Sequence, residues 1–357
     1  MISPKIPEAP ERAERFLWVE LFRGLAIVEV ILHHVSGRFV RILDSEGVIW
    51  WIVAIVNRTL HYAVPAFLML TALVLTLSLM RQTDYGRYAQ NRLLRAVLPF
   101  LLWSGLYLLY RWWAYDAPPR VDRIPDYLLW GKAYFHLYFL AVAMQLYLML
   151  PLLMPAARRR PPFWAMVVGI VVLSMAVYWF NRLVYRLPYT GSFILWYTPT
   201  VLLGVWVATQ AERLEAILKR GWVWALLVAL IGLAFYLPLA LSALRGNAVN
   251  TFQYQVGNWL YTGGISFVLL AVAYWLSQQD GSRFVGLLRF AGRYSLQIYL
   301  LHPLIVSELD RWGWLIPNLG VRFAMPLYIL LALLVPLGLA WLIARTRRLS
   351  LALFGRA

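Results

Sequence analysis

The sequence predicts an all-α fold, a polytopic transmembrane helical bundle, and two observations carry that prediction. Of 357 residues, 62% are hydrophobic and 14% charged, with a mean hydropathy of +0.66. No soluble globular domain has such a balance. The apolar residues also come in serial runs of about 20, the length that crosses a bilayer as a helix. The runs lack the alternation of barrel strands, and a helix satisfies its own backbone groups in lipid.

Residues 1–15 are polar and contain proline, and read as a cytoplasmic N-terminal tail. The first run, Phe16 to Val35, is expected to stay as a helix, because Arg23 and Glu29 interrupt it and no small-residue cleavage site follows. Ser36 to Gly47 read as a loop. The stretch from Val48 to Met80 is too long for one straight span. Asn57, Arg58, His61 and Pro65 interrupt it, so a short or broken helix is expected before a crossing at 63–80. Residues 81–95 form a basic connector. Further spans are expected near 96–114, 132–155, 163–182, 192–211, 221–244, 255–277, 290–307 and 323–344, which makes about ten crossings. Residues 16–344 then form one membrane domain without internal repeats, and 345–357 a short basic cytoplasmic tail.

The charge orients the bundle. With both termini on the cytoplasmic side, the cytoplasmic segments hold 19 Lys and Arg and the outer loops 8. The expected location is therefore a cell membrane, crossed many times, with both termini in the cytoplasm. The net charge of +17 lies mainly in these short loops, so retention of one membrane face explains it and nucleic acid is not an expected partner. The chain has no cysteine, which excludes disulfides, thiolate metal sites and a cysteine nucleophile. No glycine-rich phosphate loop, His/Glu zinc pattern or Gly-x-Ser-x-Gly elbow is present, and no metal is expected.

The first run holds the densest chemistry. It carries Glu20, Arg23, Glu29, His33 and His34, and ionisable groups at bilayer depth cost about 2.5–3.5 kcal/mol each on insertion scales. At about 100° per residue, Arg23 and His34 share a face within about 20° and stand about 16 Å apart along the axis. Glu20 is one turn from Arg23, close enough to pair, and Glu29 and His33 form a second i, i+4 pair. Such a stripe faces protein or water. His34 can take a proton from a hydroxyl near neutral pH. Arg92 and Arg95, at i, i+3 where a span begins, fit two roles: gripping an anion such as phosphate, or anchoring the helix at the membrane face. His136 and His302 sit near span ends among tyrosines, where interfacial anchoring accounts for them.

Five segments, in order, resemble the acyltransferase-3 family of bacterial membrane acyltransferases. FRGLAIVEVILHH matches its opening pattern through Arg23, Gly24, Ala26, Val30 and His34. VPAFLMLTALVLT, RYAQNRLLRAVLPFLLW, HLYFLAVAMQLYLMLPLL and GRYSLQIYLLHPLI are similar to its later segments, and together they cover roughly residues 16 to 344. The sequence departs from the pattern at three places. Thr71-Ala72-Leu73 stands for Ser-Gly-Phe, Glu29 for an apolar residue and Tyr138 for tryptophan.

The resemblance implies transfer of an acyl group, often acetyl, from acyl-CoA to a hydroxyl of a carbohydrate or lipid-linked glycan, with no bound cofactor. It implies His34 as the base, Arg23 as its structural or donor-binding partner, and Arg92 and Arg95 as contacts for the phosphates of coenzyme A. Glu20, Glu29, His33, His136, Ser295, Tyr299 and His302 are supporting candidates. The partners it implies are the bilayer, the acyl-CoA, the glycan acceptor and envelope-polysaccharide biosynthesis proteins of a bacterial cytoplasmic membrane. Two other readings suit a polar stripe in a bundle: a non-enzymatic translocator of polysaccharide or lipid-linked sugar, and an ion-coupled transporter with Glu29 and His33 as a proton relay.

Overall fold

A computed structural model describes residues 17–81, 84–279 and 281–355, with the side chains of 93 and 94 excepted. The N-terminal tail and the start of the first run at Phe16 lie outside the described residues. Among the described residues there is no strand. The first helices are α1 (Leu17–Val40), α2 (Val48–Thr59), α3 (Ala63–Arg81), α4 (Tyr85–Arg92), α5 (Leu98–Tyr115) and the short α6 (Ile124–Leu129). The chain continues through α7 (Tyr138–Arg158), α8 (Phe163–Leu183), α9 (Thr198–Thr209), α10 (Leu214–Leu244) and α11 (Thr251–Leu276). It closes with α12 (Arg283–Arg293), α13 (Ser295–Trp312), α14 (Leu315–Ala344) and α15 (Arg347–Phe354).

Seven helical segments are long and apolar enough to cross a membrane, by length and composition. The other three of the ten expected crossings correspond to α1, α9 and α13. Helix α1 carries Glu20, Arg23, Glu29 and Arg38, α9 has 12 residues, and α13 holds Glu308, Asp310 and Arg311. Outward faces are apolar: Leu148 and Leu152 on α7 are each 78% exposed and Trp224 on α10 72%. A soluble protein buries such side chains, whereas a lipid-facing one turns them out.

Several boundaries differ from expectation for local reasons. Helix α1 runs past Val35 to Val40. Ser36 is buried and its hydroxyl donates to the His33 carbonyl at 3.1 Å, while Arg38 pairs with Asp310 of α13 at 2.7 Å. The 48–80 stretch breaks as expected, with a 3₁₀ turn at Leu60–Tyr62 between α2 and α3. The connector 81–95 is largely helical: α4 joins α5 through a π-helical turn at Leu93–Val97. Gly313, at φ 68, ends α13 in the left-handed conformation that glycine adopts without a Cβ clash.

What positions the site is the crossing of α1 and α12. A Cβ added at Gly24 would lie 2.0 Å from the Leu288 carbonyl oxygen, and one at Gly292 would lie 1.8 Å from that of Glu20. Only glycines let the two backbones meet this closely, a device common between membrane helices. Above that crossing α1 is enclosed by α2, α3, α11, α13 and α14. The helix that carries the most charge is therefore enclosed by protein, with no exposed residue between Leu17 and Val40.

Candidate active site

Arg23 lies near the start of α1, and His34 about three turns further on. Arg23 lines a cavity of about 650 Å³ together with Arg92, Arg95, Ser295 and Tyr299. Five candidates from distant parts of the sequence thus meet in one space. Phe67, Thr71 and Phe139 form part of its wall. The Arg92 guanidinium stands over the rings of Tyr88 and Tyr147, at 5.8 and 5.6 Å from their centroids, and its buried Nε has no hydrogen-bond partner. An unpaired buried guanidinium N–H beside a cavity is a ready donor for an anion.

His34 lies deeper. Its ring is stacked on His302, with centroids 5.3 Å apart and an interplanar angle of 23°, and meets Phe135 edge-on at 5.0 Å. His33 adjoins it at 5.4 Å and His61 adjoins His33 at 5.5 Å, while His302 contacts His136 at 5.9 Å. All five histidines of the chain therefore form one string through the bundle, in the order His61, His33, His34, His302, His136. His136 and His302 have no exposed surface, so they are core groups and not interfacial anchors. Nearness to a span end is legible in sequence; the inward rotation of the side chain is not.

The hydrogen bonds assign part of the string. His302 Nδ1 lies 3.1 Å from the Ile298 carbonyl, and His33 Nδ1 lies 2.9 Å from that of Asn57. A carbonyl only accepts, so in both rings Nδ1 carries the proton and Nε2 keeps a lone pair when the ring is neutral. Asn57 is buried and its amide donates back to the His33 carbonyl at 2.7 Å and the Ser36 hydroxyl at 3.1 Å. Both ring nitrogens of His136 and Nε2 of His302 are buried without a partner, and the Tyr299 hydroxyl donates to the His136 carbonyl. Among the described residues no group of three or more His, Cys, Asp or Glu is arranged to hold a metal ion.

Both carboxylates of the expected pairs on α1 take partners from other elements. The Glu20 carboxylate accepts from Arg289 at 2.8 Å and Arg293 at 3.2 Å on α12. Glu29 accepts from the Tyr62 hydroxyl at 2.5 Å, and His33 is committed to Asn57, so the i, i+4 pair does not form. Spacing along one helix cannot reveal which neighbours a tertiary fold supplies. Of the departures in the second segment, Thr71 donates to its own helix at Phe67 O, 2.7 Å, and Ala72 is buried where α9 brings Gly204 against α3.

A second cavity, of about 390 Å³, is lined by His61, Lys132, Trp196, Tyr254, Gln255 and Trp259, among others. It meets α3 at Val64 and Pro65, whereas the larger cavity runs along α3 from Phe67 to Ser78. The smaller cavity therefore lies at the N-terminal end of α3 and the larger extends from there toward its C-terminal end, along a helix that rises about 1.5 Å per residue. The histidine string lies between them. His61 and Phe135, a neighbour of His34, line the smaller cavity, and Tyr299, a neighbour of His302, lines the larger. In the sequence His61 stands near Arg58 in a broken segment, a place that suits a cavity or re-entrant structure. Asn57 drew notice only as a helix interruption.

A helical membrane protein with arginines at one internal cavity, aromatic and amide groups at another, and imidazoles between them has the layout of a membrane-embedded group-transfer enzyme. The family model for the acyltransferase domain of the acyltransferase-3 family matches residues 16–345. The chain belongs to that family and is a membrane acyltransferase. No curated protein and no solved structure matches it.

Proposed function

We propose that this enzyme moves an acyl group, acetyl in the simplest case, from acyl-CoA to a hydroxyl of a cell-envelope carbohydrate or lipid-linked glycan in a bacterial cytoplasmic membrane. The observation that carries the reading is the location of His34 between two chemically different cavities. The donor's phosphates rest on Arg92 and Arg95, with Arg23 at the same cavity, and its pantetheine arm runs inward past Ser295 and Tyr299. The acceptor enters the smaller cavity. Trp196, Trp259 and Tyr254 offer faces for sugar rings there, and Gln255 Nε2 and Asn258 Oδ1, buried without partners, can bond to hydroxyls.

In the reaction the acceptor oxygen attacks the thioester carbonyl and a C–O bond forms as the C–S bond breaks. His34 takes the hydroxyl proton and returns it to the departing thiolate, so the proton balance closes. His302 and Phe135 hold the His34 ring in place. Envelope-polysaccharide biosynthesis proteins would supply or receive the glycan.

The test is transfer of label from radiolabelled acetyl-CoA to envelope glycans by the purified protein in detergent. His34→Ala should lower turnover by about 10²–10⁴-fold, the usual contribution of a general base. Arg92→Ala with Arg95→Ala should raise the donor KM at least about tenfold. Absence of donor binding at millimolar acetyl-CoA, and with longer acyl-CoAs, would turn the reading toward a translocator.

A further inference from the structure

Arg347 opens α15 and lines the same cavity of about 650 Å³ as Arg23, Arg92 and Arg95. Leu351, one turn on, lines it too, as does Gly355 just past the helix end. A basic tail serving only to hold one membrane face has no need of a fixed position. This helix has one. Phe354 is fully buried and its ring stacks on Trp103 of α5, with centroids 6.0 Å apart at 22°. Trp103 Nε1 donates to the Leu353 carbonyl at 2.8 Å. Gly355 caps the helix at φ 63, and a Cβ there would lie 2.8 Å from Arg95 Cα, so its backbone packs on the π-helical turn that carries Arg95.

Resting on the reading of this cavity as the donor site, we infer that α15 is one of its walls and that Arg347 is a phosphate ligand alongside Arg92 and Arg95. Coenzyme A carries a diphosphate and a separate 3′-phosphate on its ribose. Two arginines one helical turn apart grip neighbouring oxygens of one such group. A guanidinium from an element some 250 positions later in sequence, at the same cavity, supplies the spatially separate contact that the remaining phosphate needs. Docking through Phe354 and Gly355 fixes that contact in advance, which lowers the ordering cost of binding.

The experiment measures binding of radiolabelled coenzyme A to the full-length protein in detergent, with the acetyl-CoA KM and kcat measured in parallel. Arg347→Ala should weaken coenzyme A binding and raise KM about tenfold with little change in kcat, as loss of one charge-assisted contact does. Arg347→Lys should recover part of the loss, and Arg348→Ala, next on the same helix but away from the cavity, should bind as the natural protein does. Arg347→Gln, with an unchanged melting temperature, guards against reading a folding defect as lost affinity. Unaltered binding in both Arg347→Ala and Arg347→Gln, while Arg92→Ala binds poorly, would overturn the role of Arg347 and leave the donor site standing. Failure of the natural protein itself to bind coenzyme A would overturn both.

Discussion

At the scale of single residues, the catalytic proposal depends on how two adjacent histidines are held. His33 is fastened on both sides: its ring donates to Asn57 O, and its carbonyl accepts from Asn57 Nδ2 and from Ser36. His34 makes ring contacts only with His33, His302 and Phe135 among the described residues. One ring is therefore anchored and its neighbour is left available for chemistry. Asn57→Ala removes two donated bonds from a buried site and should cost about 1–3 kcal/mol. Because it also loosens the turn behind His34, kcat should fall while the donor KM holds. A melting curve and a kinetic split check both, and an unchanged kcat would show that His33 does not position His34. Glu29 separates the enzyme from the ion-coupled reading. Its partner is Tyr62, whose hydroxyl can donate equally to an amide oxygen, so Glu29→Gln should keep acyl transfer within a few-fold. Loss of all activity in that variant would instead make Glu29 a proton carrier. The shared face of Arg23 and His34 was legible because helical spacing fixes it. The contributions of His61, Asn57 and His302 were not, because each comes from another helix and depends on a rotation the sequence does not encode locally.

Helices are where the sequence was read best and where its limits are physical. Apolar runs locate α7, α8, α10, α11 and α14 because lipid demands about 20 apolar residues in succession. The break at residues 60–62 follows from polar residues and Pro65 interrupting one long run. The extension of α4 into α5 is not legible in the sequence, since this polar, arginine-rich run contains Gly86 and Asn91 and resembles a loop by composition, although Arg87, Ala89, Gln90 and Arg92 are good helix formers. The α1–α12 crossing was also invisible, although Gly24 was already noticed as part of the opening pattern. Its geometry makes a sharp prediction. Gly24→Val or Gly292→Val forces a side chain into a backbone carbonyl and should destabilise the protein by at least about 1–3 kcal/mol, the range for overpacking. Gly105→Ala and Gly338→Ala, where an added Cβ meets nothing within 4 Å, should be neutral or stabilising by roughly 0.5–1 kcal/mol. Thermal unfolding in detergent separates the two pairs. Equal stability of all four variants would mean that the helices do not cross as closely as described.

For the whole molecule, the question that decides function is which cavity faces the cytoplasm, because acyl-CoA is made there. The loops that flank the larger cavity's residues are those before α4, around Arg283–Arg293 and after α14, and they belong to the set richer in Lys and Arg. The smaller cavity is framed by the segments around Lys132, Thr190 and Tyr254, from the poorer set. Under the proposed function, orientation by charge puts the donor cavity on the cytoplasmic side and the acceptor cavity on the other, with Arg92, Arg95 and Arg347 entering both arguments. The absence of cysteine makes the natural protein a clean background for testing it. Single cysteines at Val121 and Ala248 should react with a membrane-impermeant maleimide in intact cells, and those at Ala211 and Ser282 only after permeabilisation. All four positions are exposed, so access to solvent does not confound the comparison. The reverse labelling would put Arg92, Arg95 and Arg347 on the side without acyl-CoA, and the donor would then have to reach them by way of the histidines and the smaller cavity. A bulky, multiply charged nucleotide could not pass that packed layer, so reversed labelling would count against the coenzyme A reading even if the bundle were otherwise as described.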